Sequence, residues 1–121
     1  MDVFTLVYIL NATLLLLHEI ESAYEKEWEI LKLPGKISGF LLMHLPIIIL
    51  LFYGVIEVEK KSVSGIILAA ITGVSGLLPF IVHKLVFKKK DRFNRGISNL
   101  IIYLNLVTGL ALLFQSWAAF P

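Results

Sequence analysis

From Val3 to Leu17 the chain runs fifteen residues without a charge, and then it meets Leu17-His18-Glu19-Ile20-Glu21. A helix needs roughly 20 apolar residues to cross a bilayer. The first span therefore has to carry His18, and with it Glu19 and Glu21, into the edge of the membrane. Ionisable groups at that depth are costly, and they face a protein interior or a wet cavity rather than lipid. If the helix continues, His18, Glu21, Ser22, Glu25 and Glu29 share one face through three- and four-residue steps, and Asn11 extends that face deeper. The rest of the protein is expected to pack around this stripe.

Composition sets the class. Of 121 residues, 58% are hydrophobic, and so small a soluble domain cannot bury that much apolar surface. There are no cysteines, which removes disulfides, thiolate metal sites and a cysteine nucleophile from consideration. The net charge of +2 is small and its basic residues lie beside apolar runs, so no nucleic-acid surface is expected. The N-terminus carries Asp2 rather than basic residues and shows no small-residue cleavage site, so it reads as a first helix and not as a signal peptide.

Four long helices are expected in one transmembrane domain over residues 1–121: about 3–33, 37–58, 63–87 and 97–120. Pro34-Gly35 ends the first, while Pro46 and Pro79 lie inside the second and third. Short connections make neighbours antiparallel. The fold class is an all-α membrane protein, a four-helix antiparallel bundle. Nine basic residues (Lys26, Lys32, Lys36, Lys84, Lys88, Lys89, Lys90, Arg92 and Arg95) fall on one side of it and only Lys60 and Lys61 on the other. The positive-inside bias then places both termini outside a prokaryotic cytoplasmic membrane, with the 88–96 loop inside. The Lys88-Lys89-Lys90 run is a topology determinant first and a contact for anionic membrane lipids second. In the third span Gly65, Ala69 and Gly73 make a ladder of small residues. Such a ladder predicts a close helix contact, within the bundle or in a homo-oligomer.

With this topology the three histidines fall at similar depths. His18 and His83 lie about 6 Å inside the cytoplasmic boundary and His44 about 10 Å inside it. Asn99 and Asn105 descend from the same side. Pro46 and Pro79 free the carbonyls of Leu42 and Ser75, so kinks can open a cavity beside the imidazoles. Three chemistries fit. His18, Glu21, His44 and His83 can ligate zinc or iron. His18 and a desolvated Glu21 can act as an acid–base pair on a lipid-soluble substrate, with Asn105 orienting it. A carboxylate can carry a proton or cation in transport. Against these stand plainer readings. Glu25, Glu27 and Glu29 read as a solvated face with Lys26 and Lys32, and Glu19 as a group reaching water. His44 can satisfy a carbonyl freed by Pro46, and His83 beside Lys84 reads as interfacial.

At Leu17-His18-Glu19-Ile20-Glu21, followed by Ala23-Tyr24, Lys26-Glu27-Trp28-Glu29, Leu33-Pro34-Gly35 and then His44-Leu45-Pro46, the chain resembles small uncharacterised prokaryotic four-helix membrane proteins. It is also similar to proteins labelled by a His-x-x-Glu-Glu motif (HXXEE), with Ser22 standing where that motif has its second acidic residue. The resemblance implies the fold and the membrane location and no activity. The leading expectation is a small polytopic membrane protein with a His/Glu site in its cytoplasmic leaflet, working by metal-assisted or acid–base chemistry on a lipid or other apolar small molecule. The rivals are a small proton- or cation-coupled transporter and a helper subunit docking through Gly65, Ala69 and Gly73.

Overall fold

A computed structural model of the chain describes residues 1–87 and 95–121. Helix α1 spans Val3–Tyr24, and α2 is a single turn, Glu27–Ile30. Helix α3 spans Lys36–Glu59, α4 spans Val63–Phe80, and α5 spans Gly96–Ala119. Helix α4 continues as a π-helical turn over Ile81–Val86. With that turn, four helices among the described residues are long and apolar enough to cross a membrane. The protein is an all-α membrane bundle. Both termini lie at one end, where Lys61 in the α3–α4 turn pairs with Asp2 at 2.7 Å and Ala119 packs on the cluster containing Phe4 and Tyr8. The Lys88-Lys89-Lys90 run lies outside the described residues.

The first helix does not run on to residue 33. It stops at Tyr24, and Lys26 adopts a left-handed backbone conformation, φ 53°. Lys32, Gly35 and Lys36 are left-handed too, so residues 25–36 form an elbow rather than an amphipathic extension. A left-handed L-residue costs roughly 1–2 kcal/mol. The elbow offsets that cost by burying Trp28 against Phe40, with ring centroids 5.8 Å apart, and by turning Glu27 inward. The Leu33 N–H closes the elbow on the Trp28 carbonyl at 2.8 Å.

In lipid, apolar burial between helices drives little association, and close packing with interhelical hydrogen bonds must do it. Helices α4 and α5 meet backbone to backbone: a Cβ on Gly109 would lie 2.7 Å from the Gly73 carbonyl oxygen. Gly65 packs on the Glu57 carbonyl at the α3–α4 turn, and Ala69 is fully buried. The small-residue ladder is thus packed inside this chain. Helix α1 joins the pair through Asn11, whose Nδ2 donates to the Thr72 carbonyl at 2.9 Å. The Asn11 Oδ1 accepts from Thr108 at 2.8 Å. Each such intramembrane bond contributes about 0.6 kcal/mol.

Two glycines of α5 should separate in a thermal-stability measurement in detergent. Gly109→Val forces the α4–α5 contact apart and should cost about 1–3 kcal/mol, the usual penalty of overpacking. A Cβ added at Gly96 would meet nothing within 4 Å, so Gly96→Ala should leave stability unchanged or raise it by up to about 1 kcal/mol.

Candidate metal centre

The elbow determines which carboxylate enters the bundle. On a continuous helix Glu27, nine residues after His18, would point away from it. Because the chain reverses at Lys26, Glu27 instead comes back beneath the last turns of α1. Its carboxylate accepts a hydrogen bond from the Ser22 hydroxyl. It also lies 2.9 Å from His83 Nε2 through Oε1 and 3.9 Å from His18 Nε2 through Oε2. All three residues are buried, His18 at 3% exposure, Glu27 at 7% and His83 at 1%. One ligand atom from each of them lies within 4.8 Å of the others. The two imidazoles meet edge to face, with centroids 5.1 Å apart.

His83 is placed by the π-helical turn. Pro79 has no N–H to give, and beyond it the hydrogen bonding lengthens by one residue, with the Phe87 N–H reaching the Val82 carbonyl at 2.8 Å. π-Turns occur often at functional sites because they shift side chains out of the helical register. Here the shift is associated with a histidine aimed into the bundle. It is buried inside the bundle rather than lying on its surface.

Burial pushes the Glu27 carboxyl up, but hydrogen bonds from His83 and Ser22 and the nearby His18 and His83 charges outweigh it. The group is held below the ordinary carboxylate range. A depressed acid adds stability above its unfolded value and loses it as pH falls through the folded one. Wild-type protein should therefore lose stability as pH falls below the ordinary carboxylate range. Glu27→Gln should lack that part of the acid limb in a pH series of melting temperatures.

The other residues singled out in the sequence sort differently. Glu21 is not at the histidines: it pairs with Arg95 at 2.9 Å and accepts from the Ser98 hydroxyl. Arg95 also binds Glu25 at 2.6 Å and lies over the Tyr24 ring at 5.6 Å, so it clamps the end of α1 to the start of α5. The stripe of acids thus divides, with Glu21 and Glu25 on the Arg95 side and Glu29 exposed. Nor does His44 belong to the triad. Its Nε2 meets Glu19 at 2.5 Å and its Nδ1 meets the Phe40 carbonyl at 2.7 Å. That carbonyl can only accept, so Nδ1 carries the proton. Glu19 is consequently a partner of His44 rather than a group reaching freely into water. Asn105 is fully buried beside Asn11 and against the bare backbone of Gly76. Asn11 precedes His18 by seven residues, about 10 Å along α1, so Asn105 sits deeper than the histidines.

Glu27 is the residue that sequence reasoning missed. No glycine or proline marks residues 25–26, and helical periodicity puts Glu27 on the wrong face.

Two imidazoles and one carboxylate form a donor set suited to zinc, or to ferrous iron with open positions. The cluster fits such an ion in number and type of ligand. The Ser22 hydroxyl holds one Glu27 oxygen and so orients the carboxylate. Beside it a cavity of about 430 Å³ opens between α1, α3 and α4. His18, Glu27, Glu19 and His44 all line it, and most of its remaining wall is apolar.

Fold and site together define a small four-span membrane protein with a buried two-histidine, one-carboxylate cluster at one end. The chain belongs to a family of unknown function, DUF6713, which it matches over residues 4–119. No curated protein and no solved structure matches it.

Proposed function

We propose that this protein is a metal-dependent membrane enzyme acting on a lipid or other apolar small molecule, with His18, Glu27 and His83 as the ligands of zinc or iron. The observation carrying this reading is the triad itself: three buried ligand groups from two helices and an elbow, converging at the end of an apolar cavity. Burying a carboxylate and two imidazoles beside a membrane interior is expensive unless they serve one another or an ion. A bound divalent ion would polarise a carbonyl or phosphoryl oxygen, or lower the pKa of a bound water to about 7.

The chain's own residues do the rest. Glu27 offsets part of the ionic charge, and Ser22 fixes the orientation of its carboxylate. The π-turn holds the His83 ring toward the site. The apolar walls exclude water from the reacting group, which strengthens every electrostatic contact inside. Across the cavity mouth His44 is locked by the Phe40 carbonyl, so its Nε2 and Glu19 present a fixed polar edge to a substrate. The basic-residue count puts this end of the bundle on the cytoplasmic side, with both termini outside. A transport pathway fits less well, because beyond the cavity the bundle is filled by Tyr8, Ala69 and Leu112, each with no exposed surface.

Metal analysis by mass spectrometry of protein purified in detergent tests the reading. Wild-type protein should hold near-stoichiometric zinc or iron, retained by Glu21→Gln and His44→Ala. His18→Ala, Glu27→Gln and His83→Ala should each lose it by about 10-fold or more in affinity. Folded wild-type protein that takes up neither ion after metal is added back would defeat the proposal.

A further inference from the structure

Helix α3 carries a seam that closes at its ends and not in its middle. Phe40, His44, Ile47, Leu51, Gly54 and Val58 follow alternating steps of four and three, the spacing by which one helix face meets a bundle. Phe40 and His44 are buried at one end, and Gly54 and Val58 at the other. Between them no residue from 45 to 53 is buried, and Ile47 on the seam keeps 40% of its surface exposed.

Both ends are pinned. His44 holds Glu19, and the Tyr8 hydroxyl donates to the Leu51 carbonyl at 2.9 Å while its ring fills the space against Gly54. The open middle is therefore a built gap rather than a helix that has drifted off. Ile47 and Leu51 form one wall of the cavity, and Leu68 and Ile71 of α4 line it too. From Phe40 to Leu51 the slot runs about 16 Å along the helix. An apolar gap of this size loses dispersion contacts along its whole lining if left empty. Its volume of about 430 Å³ lies within the range of ligand sites.

We propose that the slot binds the acyl chain of an anionic lipid, its head at His18 and Glu27 and its chain along Ile47, Leu51 and Leu68. This rests on the metal-site reading, whose substrate class it names. The slot is polar at one end and apolar along its length, which matches an amphiphile and not a wholly apolar molecule. A divalent ion held by a single carboxylate, Glu27, keeps a net positive charge, which selects a carboxylate or phosphate head.

Palmitic acid bearing a photoreactive diazirine in its chain is the probe, applied to the detergent-purified protein with crosslinks mapped by mass spectrometry. Labelling should be saturable and confined to the slot positions Ile47, Leu51 and Leu68, and unlabelled palmitic acid should compete with it. Ile47→Trp, which fills the slot from an already exposed position, should lower labelling about 10-fold. Leu68→Phe should do the same from the opposite wall. Ile49→Trp, on the lipid-facing side, should change nothing, and all three variants should keep the wild-type metal content, which shows the site still folded. Unsaturable labelling spread over Ile49 and other outward positions, or labelling unaffected by Ile47→Trp and Leu68→Phe, would overturn the proposal and leave only annular lipid. Saturable slot labelling in a protein that binds no metal would uphold the acyl-chain slot while defeating the metal reading and, with it, the selection of an anionic head.

Discussion

A carboxylate brought to the inner edge of a membrane needs a partner, and the arrangement of this protein follows from where Glu27 finds its own. The elbow holds three left-handed lysines, Lys26, Lys32 and Lys36, each costing about 1–2 kcal/mol. Hydrogen bonds to a charged group are worth about 1.5–3 kcal/mol each, and Glu27 accepts one from Ser22 and lies 2.9 Å from His83. Once Glu27 is turned in, the chain leaves α1 across the end of the bundle, Trp28 seats on Phe40, and α3 begins displaced from α1. Glu27, Trp28 and Phe40 all line the cavity that lies between them.

The bundle consequently divides into a tight part and a loose one. Helices α1, α4 and α5 are drawn together by bare glycine backbones and by the Asn11 hydrogen bonds to Thr72 and Thr108. Helix α3 is held at two places, the His44–Glu19 contact and the Tyr8–Gly54 contact, with an unclosed seam between. Rigid packing behind His18 and His83 and slack beside them suit the proposed site, which would hold an ion and admit a chain. The histidines and Glu27 sit at one end of the cavity, on α1, the elbow and the π-helical turn, while Ile47 and Leu51 of α3 and Leu68 of α4 line its length.

Much of this is legible in the sequence. Four apolar runs, Pro34-Gly35 and the short connections define the spans and their order, because in lipid an apolar run must satisfy its own backbone groups and so becomes a helix. The meeting of His18 with His83 is foreshadowed by their equal depths and by Pro79, whose missing N–H permits the π-turn. What periodicity does not deliver is the break at Lys26. It arises from a tertiary partner across the bundle and not from a local breaker, so in the sequence the acidic stripe reads as continuous and Glu21 as the ligand. Arg95 counts there for topology alone, although it is what draws Glu21 and Glu25 away. His44 is legible as a buried histidine, but its pairing with Glu19 is a contact between α1 and α3 that periodicity along one helix does not reveal.

X-ray absorption spectroscopy at the zinc edge of the metal-loaded protein tests the central claim most directly. The account predicts a shell of nitrogen and oxygen ligands at about 2.0–2.2 Å, with scattering from two imidazoles in the wild type and from one in His83→Ala. A shell of oxygens alone, or a two-imidazole signal unchanged by loss of His83, would contradict it.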